Sequence, residues 1–91
     1  MVINELFTTI LSRRGAAPET SYTARLFAAG EDEVIKKVGE EAIEIILAAK
    51  GQGNPRLVEE VADLTYHILV LLAERGLSPA DVEAELIKRR K

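Results

Sequence analysis

Apolar residues near the start of the chain, Ile3, Leu6, Phe7, Ile10 and Leu11, recur at the i, i+3, i+4, i+7, i+8 spacing of one helical face. Gly15 follows as a C-terminal stop. Residues 13–23 carry a glycine, a proline and several hydroxyl side chains, which predicts a loop. Thr23 to Ala29 then read as a short helix ended by Gly30. A long helix is predicted from Glu31 or Asp32 to about Lys50. Its acidic first turn suits the positive end of the helix dipole, and Gly51-Gln52-Gly53 stops it. Asn54 and Pro55 read as the N-cap and first residue of a second long helix. That helix runs to Arg75, with Gly76 beyond its end. Ser78-Pro79-Ala80-Asp81 is another start signal, because an acid three residues after Ser78 completes a capping box. The last helix carries Val82, Leu86 and Ile87. No segment sustains period-two alternation, so the expected fold class is all-α: a hairpin of two long helices with shorter flanking helices, in one domain over residues 1–91.

The second long helix also predicts assembly. Val58, Val61, Ala62, Thr65, Ile68, Leu69 and Leu72 share one face, while Leu64, Tyr66, Val70 and Leu71 spread around it. Only a narrow strip, Arg56, Glu60, Asp63, His67 and Glu74, is polar throughout. A helix apolar nearly all round belongs in the middle of a core, and a 91-residue chain supplies few neighbours to surround it. A homodimer forming a helical bundle is the economical solution.

Composition narrows the function. The chain has no cysteine, which removes disulfides and thiolate zinc sites and fits a reducing, cytoplasmic setting. A net charge of −3 argues against general nucleic-acid binding. The longest strongly apolar stretch, Leu64 to Ala73, is far short of the roughly 20 residues a membrane span needs. The N-terminus has no basic lead and no small-residue cleavage site, and reads as an amphipathic helix rather than a signal peptide. The basic end, Lys88 to Lys91, reads as a solvated helix terminus favoured by the dipole.

Two acidic pairs stand out. Glu41 and Glu44 lie three apart at the edge of the apolar stripe Val34, Val38, Ala42, Ile45 and Ala49, and Glu60 and Asp63 repeat that spacing on the next helix. Like charges this close repel, and beside apolar surface the cost rises unless a cation sits between them. Oxygen donors without cysteine select a hard ion, magnesium or manganese rather than zinc. Magnesium also reaches substrate phosphates. An antiparallel hairpin would bring the two pairs face to face.

The pattern Glu40-Glu41-x-x-Glu44 followed by Glu60-x-x-Asp63 is similar to the signature of the all-α nucleotide pyrophosphohydrolases of MazG type. More narrowly, Pro18 to Thr23, the run Lys36-Lys37-Val38-Gly39-Glu40-Glu41-Ala42-x-Glu44, and Glu60-Val61-Ala62-Asp63-Leu64-x-Tyr66-His67 resemble the phosphoribosyl-ATP pyrophosphatase family over almost the whole chain. The resemblance implies hydrolysis of phosphoribosyl-ATP to phosphoribosyl-AMP and pyrophosphate, the second step of histidine biosynthesis. It also implies magnesium (with manganese able to substitute), a cytoplasmic setting and a helical homodimer. In many organisms this activity is fused to a cyclohydrolase; a chain of this length has no room for that domain, so a stand-alone form is expected.

By the family motif, Glu41, Glu44, Glu60 and Asp63 hold the magnesium. One of them, or Glu40, accepts the attacking water's proton, although Glu40 points about 100° away from Glu41. Lys37, one turn before Glu41, is expected to reach a phosphate rather than pair with Glu41. Arg13 and Arg14 are candidate phosphate clamps or simply helix-end residues. Ser21 and Thr23 are expected to bond to substrate, with one of them capping the following helix. Tyr22 stacks on the adenine or anchors the loop. His67, the only histidine, is expected to act on Asp63 as a positioning partner rather than as a ligand. Gly39, inside a helix at a cost of about 1 kcal/mol relative to Ala, implies close helix packing or substrate approach. The competing readings are a house-cleaning nucleoside triphosphate pyrophosphohydrolase and a non-catalytic helical dimerisation module.

Overall fold

A computed structural model of the chain describes residues 2–90. Five α-helices follow one another: α1 (Val2–Ser12), α2 (Tyr22–Ala29), α3 (Glu31–Gly51), α4 (Asn54–Glu74) and α5 (Pro79–Arg89), with one 3-10 turn at Pro18–Thr20. The short turn sits inside the stretch expected to be loop, where Pro18 pre-sets the backbone angle that such a turn needs. α2 begins one residue earlier than its pattern suggested, because Ser21 caps it: the Ser21 Oγ accepts the Ala24 N–H at 3.0 Å.

α3 and α4 form the expected hairpin. They are joined through Gln52 and Gly53, and α4 starts one residue earlier than Asn54 as N-cap implied. Gly53 takes the cap position at φ +86°, a backbone angle that a side chain disfavours. The helices run antiparallel, since Glu31 at the start of α3 accepts two hydrogen bonds from Arg75 just past the end of α4, at 2.5 and 2.8 Å. The capping signal on α5 is real: the Asp81 Oδ2 accepts the Ser78 main-chain N–H at 2.9 Å.

The core lies at the open end of the hairpin. Phe7 and Ile10 of α1, Leu26 of α2, Val34 of α3 and Leu69, Val70 and Ala73 of α4 are buried together there. Nearer the turn the two long helices have mainly each other, and there the facing sides differ from the expected stripes. On α3 the inward positions are Val34, Val38, Glu41, Ile45 and Ala48, while Ala42 and Ala49 are exposed. On α4 the arrangement inverts the simplest reading. The polar strip turns inward, burying Glu60 and His67, and much of the apolar face turns outward, with Val58, Val61 and Ile68 exposed. That arrangement brings Glu41 to Glu60 and Asp63 across the hairpin.

The outward apolar surface is extensive. Ile35, Ile43, Ile46 and Leu47 of α3 are exposed, α5 buries none of its residues, and an apolar groove of about 360 Å³ runs beside Ile3, Ile68, Leu72, Val82 and Leu86. The accessible surface is 6290 Å², about 1,000 Å² more than a compact monomer of this mass exposes. The radius of gyration, 14.2 Å, likewise exceeds the roughly 12 Å of a compact 91-residue chain. No helix among the described residues is long and apolar enough to cross a membrane.

Candidate metal centre

Midway along the hairpin, Glu41 of α3 meets Glu60 and Asp63 of α4. One carboxylate oxygen from each lies within 4.8 Å of the others. Glu60 is buried, Glu41 is half-buried and Asp63 opens to solvent, so the cluster has a closed floor and an accessible side. Burial first, then a hydrogen bond shared with Glu60 and the charge of Asp63, push the Glu41 carboxyl above its ordinary value, with His67 pulling the other way. Three converging carboxylates that force one of their number toward protonation form a donor set suited to a hard divalent cation.

Glu44 is not among the converging three. It is half-buried one turn further along α3, so the expected four-carboxylate set is here a three-carboxylate cluster with a fourth acid beside it. Glu40 is exposed and its carboxylate is 3.7 Å from the Lys37 ammonium. Lys37 is thus tied to Glu40 and not to Glu41. The i, i+3 spacing of Lys37 and Glu40 was as visible in the sequence as the i, i+4 spacing to Glu41, but the inward turn of Glu41 decides between them.

His67 stands behind the cluster, buried, one turn after Asp63. Its Nδ1 is 2.9 Å from the Asp63 main-chain oxygen. A carbonyl only accepts, so Nδ1 carries the proton, and in the neutral ring Nε2 accepts from the Tyr22 hydroxyl at 2.9 Å. His67 thus bonds the backbone of Asp63 and not the carboxylate through which an orienting contact was expected. Tyr66 sets its ring edge against His67 at 5.0 Å between centroids, and its hydroxyl bonds Thr23. Tyr22 stacks on Tyr66 at 6.1 Å. Desolvation pushes the Tyr22 phenol up, partly offset by the Lys37 charge. Tyr22 and Thr23 thus pin the N-terminus of α2 to α4, and Ser21 spends its oxygen on the cap.

The two arginines lie at the other end. The Arg14 guanidinium donates to the Ala73 main-chain oxygen at 2.7 Å, ten residues or about 15 Å along α4 from Asp63. Arg14 there fastens the α1–α2 connection to the end of α4, and Arg13 beside it is exposed. Gly39 is open on its outer side: an added Cβ would meet nothing within 4 Å, so close packing within the chain does not explain it. A residue that the motif reading passed over is Arg56, whose guanidinium forms an ion pair with the buried Glu60 carboxylate. Its i, i+4 spacing from Glu60 was the available signal.

A family model described as phosphoribosyl-ATP pyrophosphohydrolase matches residues 3–90. Among curated proteins, the phosphoribosyl-ATP pyrophosphatase of Pelotomaculum thermopropionicum is 56% identical over 89 residues, covering 98% of this chain and 91% of that protein. Those of Paramagnetospirillum magneticum and Geobacter sulfurreducens are each 50% identical over 88 residues, covering 97% of this chain and 81% and 82% of the respective proteins.

Proposed function

The chain belongs to the phosphoribosyl-ATP pyrophosphohydrolase family, and from that premise we propose that Glu41, Glu60 and Asp63 hold the magnesium ion of its reaction. The reaction is the hydrolysis of phosphoribosyl-ATP to phosphoribosyl-AMP and pyrophosphate, a step of histidine biosynthesis. The observation that carries the metal assignment is the convergence of three carboxylate oxygens within 4.8 Å on a partly desolvated helix interface.

When bound, such an ion neutralises phosphate charge and lowers the pKa of a coordinated water; manganese has the same preference for oxygen donors. The chain's own residues do the rest. Glu44, half-buried one turn along α3 from Glu41 and outside the converging three, accepts the proton of the attacking water. Glu40 stays with Lys37 as a solvent-facing pair, and Lys37 is free to exchange that exposed contact for a substrate phosphate. Arg13, exposed some distance along the hairpin, holds the far end of an extended substrate, while Arg14 keeps the α1–α2 connection fastened to α4. His67 fixes the helical turn that presents Asp63, and Tyr22, with Ser21 and Thr23, sets the floor of the nucleotide-binding side.

The working form in this reading is a cytoplasmic homodimer. The excess accessible surface and the outward apolar faces of α3, α4 and α5 support it, because a standard interface removes about 800 Å² from each partner. Substrate chemistry and metal binding are tested together by pyrophosphate release from phosphoribosyl-ATP and from a panel of deoxynucleoside triphosphates, with and without magnesium. Faster turnover of the deoxynucleotides would replace this reading with a house-cleaning hydrolase. In the same assay Glu44→Gln should lose turnover while keeping a magnesium-dependent rise in melting temperature, and Asp63→Asn should lose both.

A further inference from the structure

Glu60 is 2% exposed and ionisable, and a buried carboxylate needs a counter-charge. Arg56 supplies it. One turn earlier on α4, its Nη2 pairs with the Glu60 Oε1, while its Nη1 lies 3.5 Å from the Glu59 carboxylate at the surface. The Arg56 side chain is about half exposed and the Glu60 side chain is not, so the guanidinium reaches inward from solvent to cover the floor of the cluster. A divalent cation settling on Glu41, Glu60 and Asp63 would bring two further positive charges beside that guanidinium, and at such distances the repulsion is large for a partly desolvated pair.

We propose that Arg56 is a resident counter-ion that competes with the divalent cation for Glu60 and holds down the affinity of the free chain for that cation. The inference rests on the cation reading of the cluster given above. Arg56 stabilises the cation-free hairpin by neutralising Glu60; its contact is to Oε1 alone, so the other oxygen can ligate while the contact persists, and it is the guanidinium's charge that weakens the cation's hold. Cation affinity is then lowered by a residue that is not itself a ligand.

The test is titration of the full chain with manganese, reading free Mn2+ by its electron spin resonance signal, alongside thermal melts without metal. Arg56→Gln should bind Mn2+ about tenfold more tightly, the equivalent of one charge-assisted hydrogen bond, and should melt lower than the unaltered chain when no metal is present. Arg56→Lys keeps a charge in place and should stay near the unaltered affinity. Unchanged or weaker Mn2+ binding by a helical Arg56→Gln chain would overturn the inference alone, because it would make Arg56 an orienting partner of Glu60 rather than a competitor. Tighter binding by Arg56→Lys equal to that of Arg56→Gln would overturn it too, by removing charge as the cause. An unaltered chain that binds no Mn2+ would overturn the cation reading, and this inference with it.

Discussion

The Tyr22 hydroxyl lies 2.9 Å from Nε2 of His67, and the other nitrogen of that ring is held by the main chain of Asp63. One imidazole thus joins the start of α2 to the turn of α4 that carries a candidate ligand. Tyr22→Phe removes only the hydroxyl and should cost about 0.5–1.5 kcal/mol, a fall of several degrees in melting temperature at about 4–8 °C per kcal/mol for a domain of this size. With Tyr22 on the nucleotide side as proposed, KM for phosphoribosyl-ATP should rise as well while kcat changes little. Steady-state kinetics and a thermal melt on one preparation check both; a fall in kcat at unchanged KM would instead place Tyr22 in the chemical step.

Glu41 gives a pH dependence with a definite sign. Its carboxyl is pushed above the ordinary value by burial, by Glu60 and by Asp63, so the folded, metal-free chain holds that proton more tightly than the unfolded one. Its contribution to stability is present at acid pH and is lost as pH rises through the raised value. Glu31 runs the other way: Arg75 holds its carboxyl low, and that contribution is lost as pH falls. Comparing the chain with Glu41→Gln isolates the first effect. Without metal, the advantage of the Gln variant should grow as pH rises toward neutrality, whereas magnesium should raise the melting temperature of the unaltered chain more at neutral than at acid pH.

Gly39 sits in the interior of α3 with open space beyond it. Gly39→Ala should therefore stabilise the chain by about 1 kcal/mol, read as a rise in melting temperature. If the gap is kept for substrate, KM should rise in the same variant. A stabilised enzyme with unaltered kinetics would show that the glycine serves neither packing nor binding.

Ile46 on α3 is 60% exposed, on the surface assigned to a second copy. Ile46→Glu should convert a dimer to a monomer in light scattering after size-exclusion chromatography, without loss of helix by circular dichroism. A protein that is monomeric before the change would remove the dimer from the proposal.

Much of the architecture was written in short-range signals. The Ile3, Leu6, Phe7, Ile10 face, the cap at Ser21, the capping box at Ser78 and the boundary glycines Gly30, Gly53 and Gly76 all act within a turn or two, so sequence spacing reports them directly. The sequence was less clear on which side of each long helix faces the other. On α4 the apolar face is the wider one, and intuition sends it inward. Glu60 and His67 of the polar strip go inward instead, with Asp63 at the solvent edge, and Val58, Val61 and Ile68 of the wide apolar face turn outward. Periodicity finds faces but does not say which of two competing neighbours each face meets. Glu44 fell outside the cluster and Lys37 went to Glu40 for the same reason: a few tens of degrees of helix rotation decide contacts that spacing alone leaves equal.

The cluster also has a kinetic meaning. Its members are drawn from one antiparallel pair joined through Gln52 and Gly53, so bringing Glu41 to Asp63 closes a short stretch of chain, and contacts of low sequence separation form early and fast. The acidic centre therefore belongs to the part of the molecule that can assemble first, with α1 and α2 docking onto an already zipped pair. Mutual repulsion among its carboxylates would then be felt at the folding barrier, and a divalent cation present during refolding should accelerate it rather than only slow the reverse reaction.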